Sequence, residues 1–156
     1  MHCDRARHFR LMLQPGLRLF DALVRPLAEA GVTNASTTIL GGRFRSLLYC
    51  VAPPDPTGRT VIAYSDPREA GQTYMVFGNA TLGVSMHEQP LVHCHATFRT
   101  EAGEVRGGHV LTEHCIVGAD PIPVLITALD GFELRQAYDP ETNMQLLQPH
   151  EVATDE

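Results

Sequence analysis

The sequence predicts an α+β fold, a single compact domain with one main helix near the N-terminus and a largely antiparallel, mixed sheet of about seven or eight strands. Three observations predict it. The length of 156 residues fits one domain. Only one segment, early in the chain, repeats apolar residues at helical spacing. The remainder consists of short runs rich in threonine and apolar residues, separated by gaps of turn length, which favours antiparallel pairing over a doubly wound parallel sheet.

The first elements are a strand and a helix. Residues 7–13 (RHFRLML) have the composition of a strand, and a Pro-Gly pair marks the turn after it. From residue 17 the apolar side chains recur about every 3.6 residues, which predicts an amphipathic helix over 17–30. Gly31 can end this helix in left-handed backbone. Pro26 lies inside the segment, so either the helix kinks or Pro26 opens a second short turn. We predict one helix and leave the kink open.

After residue 31 the period changes to that of strands. Residues 53–58 (PPDPTG) predict a loop across which the neighbouring strands pair, and residues 66–72 predict a polar connection. Two glycines inside the run TYMVFGNATLGVS indicate bulges or close packing. The predicted strands are 33–40, 43–52, 59–65, 73–85, 91–99, 108–117, 124–128 and 132–138.

Charge argues against autonomous binding to a nucleic acid. The formal net charge is −6, and all 12 basic side chains are arginines. A protein that holds DNA by its backbone needs several phosphate contacts, which an acidic average opposes. The basic residues cluster only at Arg5, Arg7 and Arg10 and at Arg43 and Arg45.

Cysteine usage and the N-terminus predict a cytoplasmic protein. Four cysteines are scattered without a C-x-x-C pair, at Cys3, Cys50, Cys94 and Cys115. Spacing of this kind favours reduced thiols over a disulfide framework. The charged N-terminus lacks the apolar region of a secretory signal, and no apolar run reaches the ~18 residues of a membrane span.

The informative segment for chemistry is residues 89–98 (QPLVHCHATF). On a strand, alternate side chains share a face, so His93 and His95 point together and Cys94 points the other way. The two histidines lie about 7 Å apart at Cα, a distance at which both imidazoles can bind one divalent ion. The alternative is that the two histidines are only polar surface.

A third ligand is available at His109. The segment Glu101–Glu104 predicts a hairpin turn, after which His109 returns almost opposite His95. A shift of one residue would place His109 on the other face, and a bulge at Gly107-Gly108 could re-aim it. Three histidines with an open position suit zinc or a similar metal.

The remaining candidate residues carry weaker signals. We interpret His2, His8, His87, His114 and His150 as surface or structural residues. The chain has no lysine-containing phosphate loop and no G-x-S-x-G elbow, and the cupin motif would require a glutamate closer to His95 than Glu101 is. Cys94 and Cys50 have no pattern that would make them nucleophiles. If a metal enzyme is present, the candidate general bases are Glu88, Glu101 and Glu113, and catalysis stays an open question.

These motifs together resemble the plant- and prokaryote-conserved (PPC) domain. Its front half is similar in the order of a strand, a Pro-Gly turn, a helix, G-V-x-x-A and Gly41-Gly42. Its back half is similar at FGNA (residues 77–80), PLVHCH (residues 90–95) and GEVRGGHV (residues 103–110). The resemblance covers residues 7–138, so we place a PPC-like domain at 7–140 with terminal extensions at 1–6 and 141–156.

The resemblance implies a homotrimer whose three motif histidines, His93, His95 and His109 in this sequence, suit a metal such as zinc. It also implies a candidate DNA-binding role, because the plant domain accompanies AT-hooks. This sequence has no AT-hook and is acidic. Three functions follow as hypotheses: a trimeric metal-binding module that takes a small ligand or performs metal-assisted chemistry, a DNA-associated protein, and a trimer without either activity.

Overall fold

The structure is a computed structural model that describes residues 6–151. His2, Cys3 and Arg5, which the sequence analysis considered, lie outside the described residues. One α-helix and ten strands form the fold, so the predicted α+β class is confirmed, with more strands than predicted. The elements are β1 (Ala6–Leu13), α1 (Leu19–Glu29), β2 (Ala35–Ile39), β3 (Gly42–Cys50), β4 (Arg68–Val84), β5 (Pro90–Thr100), β6 (Val105–Val110), a 3-10 helix (Thr112–His114), β7 (Ile116–Val117), β8 (Ile122–Leu129), β9 (Phe132–Asp139) and β10 (Met144–Glu151).

All ten strands belong to one sheet. Eight of them follow the order β1-β8-β2-β4-β5-β6-β3-β7, and β9 and β10 lie off this path. β3 pairs with β4 as well as with β6. Since β5 pairs with both β4 and β6, these four strands form a closed ring. The pairs are antiparallel except for a single parallel contact between β4 and β9, at Val84 and Arg135. β9 pairs with β10 as a hairpin.

The core lies between the helix and the inner face of the sheet. Helix residues Leu19, Leu23 and Leu27 are buried, and their spacing places them on one side of α1. The helix runs through Pro26 as one element, which settles the choice left open by the sequence. Gly31 follows with a φ of 67°, as predicted for the residue that ends it. None of the helices in residues 6–151 has the length and apolar character needed to cross a membrane.

Strand β5 shows how the sheet separates its two faces. Val92, Cys94, Ala96, Phe98 and Thr100 point inward and are buried. Because side chains alternate along a strand, the intervening residues point to the outer face. That outer face carries the candidate site.

Residues 59–65 do not form the predicted strand, and their only bridge links Pro54 to Ile62. The Asp55 carboxylate accepts hydrogen bonds from the backbone N–H groups of Thr57, Arg59 and Thr60. Hydrogen bonds from the backbone and hydroxyl groups of Thr57 and Thr60 lower the pKa of Asp55 to about 2. The backbone bonds also satisfy donors that a strand ladder would otherwise use. The segment is therefore a compact loop.

Two further stretches differ from the prediction. Residues 68–72, expected in a polar connection, are the start of β4, which continues past a bulge at Gly71 along the edge of β3. Residues 144–151, which we assigned to a terminal extension, form β10. Their sequence has no strand pattern that stands out, and the pairing partner β9 provides the backbone hydrogen bonds.

Candidate metal centre

His93 and His95 lie on the outer face of β5, and Cys94 lies in the core on the opposite face, as the strand alternation predicted. The two imidazole rings have centroids 4.7 Å apart. Burial raises the pKa of the Cys94 thiol to about 12. The Cys94 side chain therefore lies away from the imidazoles, and its thiol is not a reactive thiolate.

His109 joins these two histidines through the β5–β6 hairpin. The turn is closed by a hydrogen bond from the Thr100 N–H to the Glu104 carbonyl, 2.9 Å long. From there the register is regular, and it places His109 directly opposite His95. The bulge that we considered at Gly107-Gly108 is not needed and does not occur, because the pairing continues through both glycines.

Gly108, the residue before His109, forms no bulge and instead allows β6 to pack closely against β3. A Cβ atom at Gly108 would collide with the carbonyl oxygen of Cys50 on β3. Residue 108 must therefore be glycine for β6 to pack against β3 while it pairs with β5. This close packing holds His109 over the outer face.

The three imidazoles form a compact group. The His109 ring centroid lies 4.8 Å from that of His93 and 5.7 Å from that of His95. One ligand nitrogen from each residue lies within 4.8 Å of the other two. His93 and His109 are half-buried and His95 is exposed, so the group is open to solvent on one side.

The environment keeps two of the imidazoles neutral at neutral pH. Burial first, and then the neighbouring His93 and His95, lower the pKa of His109 to about 4. The pKa of His93 is lowered by burial first and by His95 second. A neutral imidazole has a free lone pair, which is the form that binds a metal.

One polar atom of the group is buried without a partner. His109 Nδ1 has no hydrogen-bond partner among the described residues. An unpaired buried nitrogen is costly, so its presence next to two other imidazoles indicates a site that a bound group completes.

The other candidates from the sequence lie apart from this group. Glu88 forms an ion pair with Arg135 on β9, and Glu101 lies in the hairpin turn. Glu113 lines a cleft of about 220 Å³ that also includes His109 and His114, yet no carboxylate belongs to the group of potential ligands in residues 6–151. The side chains of His8, His87, His114 and His150 are exposed, as expected.

The sequence analysis missed Tyr64. This residue lies in the loop after β3, and its ring centroid is 5.0 Å from that of His109 at a tilt of 45°. Burial raises the pKa of the Tyr64 phenol, and Cys50 raises it further. The only signal in the sequence was an aromatic residue in a Pro-rich segment, which does not indicate where the loop folds back.

Two larger clefts open at the imidazoles. One, of about 540 Å³, lies on the side of His95 and includes Phe77, Asn79 and Thr97. The other, also of about 540 Å³, lies on the side of His93 and is bounded by Tyr64 and the β9–β10 hairpin. His109 lines both clefts, so the histidine group is reached from two directions.

Solved structures of other proteins have the same fold. A metal-containing protein from Archaeoglobus fulgidus is 20% identical, with a TM-score of 0.71 over 94% of this chain and 95% of that one. A candidate DNA-binding protein from Ralstonia eutropha is 20% identical, with a TM-score of 0.69 over 89% of each chain. A plant- and prokaryote-conserved protein from Pyrococcus horikoshii is 16% identical, with a TM-score of 0.66 over 97% of this chain and 96% of that one.

At the level of sequence, no family model matches the chain, and neither does any curated protein. The similarity in structure extends over nearly the whole of both chains in each case. The chain therefore has the fold of the plant- and prokaryote-conserved proteins, which is the resemblance that its motifs indicated.

Proposed function

We propose that this protein is a PPC protein of the cytoplasm that binds one divalent metal ion, zinc, through His93, His95 and His109. The observation that carries the proposal is the convergence of three imidazole nitrogens within 4.8 Å of one another on one face of the sheet. A similarly folded protein is named as metal-containing. The buried free thiols of Cys50, Cys94 and Cys115 fit a reducing compartment.

The residues fit a zinc ion in number and type. Zinc accepts imidazole nitrogen, and three protein ligands with one open position are typical of sites that act on a small molecule. The low pKa of His109 keeps its ring unprotonated, and a metal would satisfy a group that now has a buried, unpaired nitrogen. A zinc ion at such a site supplies a Lewis acid that lowers the pKa of water.

This chain's own residues would hold and shield the ion. The Gly108 contact with β3 fixes the strand that carries His109, and Tyr64 covers one side of the His109 ring. No carboxylate in residues 6–151 joins the group as a general base. The proposal therefore stops at metal binding and assigns no reaction.

Elemental analysis of the purified full chain tests the metal site. We expect about one zinc per chain in the wild type and its loss in His93→Ala and His109→Ala. His114→Ala is the matched control, because His114 is an exposed histidine outside the group. A wild type that takes up no zinc when zinc is supplied, or a His109→Ala variant that keeps its metal, would overturn the proposal.

We propose further that the protein assembles as a homotrimer. Support comes from the resemblance and from large apolar side chains that the single chain leaves about half exposed, among them Val76, Phe77 and Leu125. Exposed apolar groups of this kind mark surfaces that another chain covers. Sedimentation equilibrium should give three times the mass of one chain, and a monomer at micromolar concentration would refute the assembly.

DNA association is the second candidate, and one surface feature favours it. Arg43, Tyr74 and Arg99 lie side by side on adjacent strands, and all three are exposed. Within residues 6–151 neither arginine has a carboxylate at ion-pair distance. Two similarly folded proteins are named as candidate DNA-binding proteins. If the surface binds DNA, affinity should fall steeply with salt and weaken in the Arg43→Ala/Arg99→Ala double variant.

A further inference from the structure

The β9–β10 hairpin lies across the outer face of the sheet and is fixed at its base. The backbone N–H of Leu134 donates a 2.8 Å hydrogen bond to Oδ1 of the buried Asn34. Arg135 pairs with Val84 at the end of β4. A Cβ atom on Gly83 would collide with the Leu134 carbonyl oxygen, so the glycine permits this close approach.

The opposite end of the hairpin is fixed by the loop that carries Tyr64. The Val61 N–H donates to the Thr142 carbonyl at 3.3 Å, and the Asn143 side-chain amide donates to the Arg59 carbonyl at 2.7 Å. The same loop is ordered internally by Asp55. Between these two ends, residues of the hairpin form one side of a cleft whose other side includes His93 and His109.

The space beneath the hairpin is a cleft of about 540 Å³, within the range of small-molecule sites. Its walls combine apolar side chains, among them Leu91, Leu134 and Leu147, with polar ones. Its polar side chains are neutral amides and hydroxyls, apart from the imidazoles of His93 and His109 at one end. Within residues 6–151, no acidic or basic side chain other than these histidines lines it.

We infer that this cleft binds a small monocarboxylate with an apolar body, its carboxylate at the imidazole end and its body against the leucines beneath the hairpin. The inference rests on the proposed metal site, because imidazole ligands bring no negative charge to compensate a divalent ion. Only the imidazole end of the cleft can then favour an anion. Along the remaining walls, burial of apolar ligand surface is favourable, and a second ligand charge would have no partner of opposite charge.

The lining also determines which other molecules should fail. A dicarboxylate of similar length would bury its second charge among leucines with no cation opposite it. A neutral alcohol with the same apolar body would gain the contacts with the walls but lose the charge interaction at the imidazoles. The expected order of affinity is therefore monocarboxylate, then alcohol, then dicarboxylate.

Calorimetric titration of the zinc-loaded full chain tests this order, with 4-phenylbutyrate, 4-phenyl-1-butanol and suberate as probes. In Leu147→Asn we expect 4-phenylbutyrate to bind about tenfold more weakly, because a polar amide replaces an apolar wall. Met144→Asn, on the same wall, is a second variant in case the first does not fold. Leu40→Asn is the matched control, since Leu40 is an exposed leucine outside the cleft, and the affinity of this variant should stay within about twofold of the wild type.

Metal content, measured on the same samples, separates this inference from the proposed metal site. If zinc is present at one per chain and 4-phenylbutyrate does not bind, or binds Leu147→Asn as tightly as the wild type, the inference is overturned and the metal site stands. If no zinc is held but 4-phenylbutyrate binds and Leu147→Asn weakens it, the cleft is supported and the metal site is not. If neither zinc nor any probe binds, both are refuted.

Discussion

Gly108→Ala should damage both the fold and the histidine group, because residue 108 lies where β6 meets two other strands. Its neighbour His109 pairs with His95 on β5 and with Cys50 on β3. An added methyl group would collide with the Cys50 carbonyl oxygen and lie 3.2 Å from Tyr49 Cδ2. The first of these obstacles is backbone in a paired strand, which cannot rotate away as a side chain would.

The expected cost follows from overpacking in a close-packed region. Such insertions cost about 1–3 kcal/mol, and a backbone obstacle places Gly108→Ala near the upper end, at about 3 kcal/mol. For a domain of this size each kcal/mol lowers Tm by about 2–4 °C, so the expected fall is about 6–12 °C. Since His109 is the next residue, β6 should also move away from β5, and zinc retention should decrease.

Thermal melts followed by circular dichroism, with zinc content measured in parallel, check this prediction. Thr97→Ala is the control, because Thr97 is exposed on β5 opposite Gly107 and should lower stability by no more than about 1 kcal/mol. A Gly108→Ala protein that melts within about 2 °C of the wild type and keeps its zinc would refute the argument that β6 needs this close contact.

Three other variants and conditions test the core, the strand parity and the histidines. Phe98→Ala removes a fully buried ring that packs edge-to-face on Tyr49 at 5.0 Å. In urea titrations this variant should lower the free energy of unfolding by about 3–5 kcal/mol. A cost below about 2 kcal/mol would contradict the place of Phe98 in the core. Cys94→Ala should keep a full complement of zinc, since the thiol lies on the face opposite the imidazoles; loss of zinc in a folded variant would contradict the parity of β5. In the metal-free protein the pKa of His109 is about 4 in the folded state and about 6.5 in the unfolded chain. Between these two pH values the unfolded chain takes up a proton at His109 and the folded protein does not. The free energy of unfolding should therefore fall as the pH decreases through this window and level off below it. His109→Gln should flatten that slope in denaturant titrations, and an unchanged slope would show that another group is responsible.

The two histidines of β5 were predictable because strand alternation is a local property. Successive side chains point to opposite faces whatever the rest of the chain does, so His93 and His95 share a face and Cys94 does not. The helix was predictable for the same reason, since a period of about 3.6 residues needs no distant contact to be recognised. The prediction of one helix across Pro26 is confirmed, and Leu23 and Leu27 on either side of the proline are buried.

The face of His109 was open in the sequence and was settled by the hairpin register. A slip of one residue would have turned its side chain into the core. The bond that closes the turn between Thr100 and Glu104 places His109 opposite His95. The close contact of Gly108 with the Cys50 carbonyl also holds β6 against β3. Because these two residues are far apart in the chain, the sequence does not show this contact.

By itself the sequence determined the fold class, the helix, the positions of most strands along the chain and the shared face of His93 and His95, since each depends on local periodicity. Only the tertiary structure decided that residues 59–65 form a loop, that residues 144–151 form β10, and that Tyr64 lies beside His109. These features depend on contacts of Asn34, Arg59 and Thr142 with partners far along the chain. Such contacts leave no periodic pattern, because their energy comes from groups that meet only after the sheet has formed.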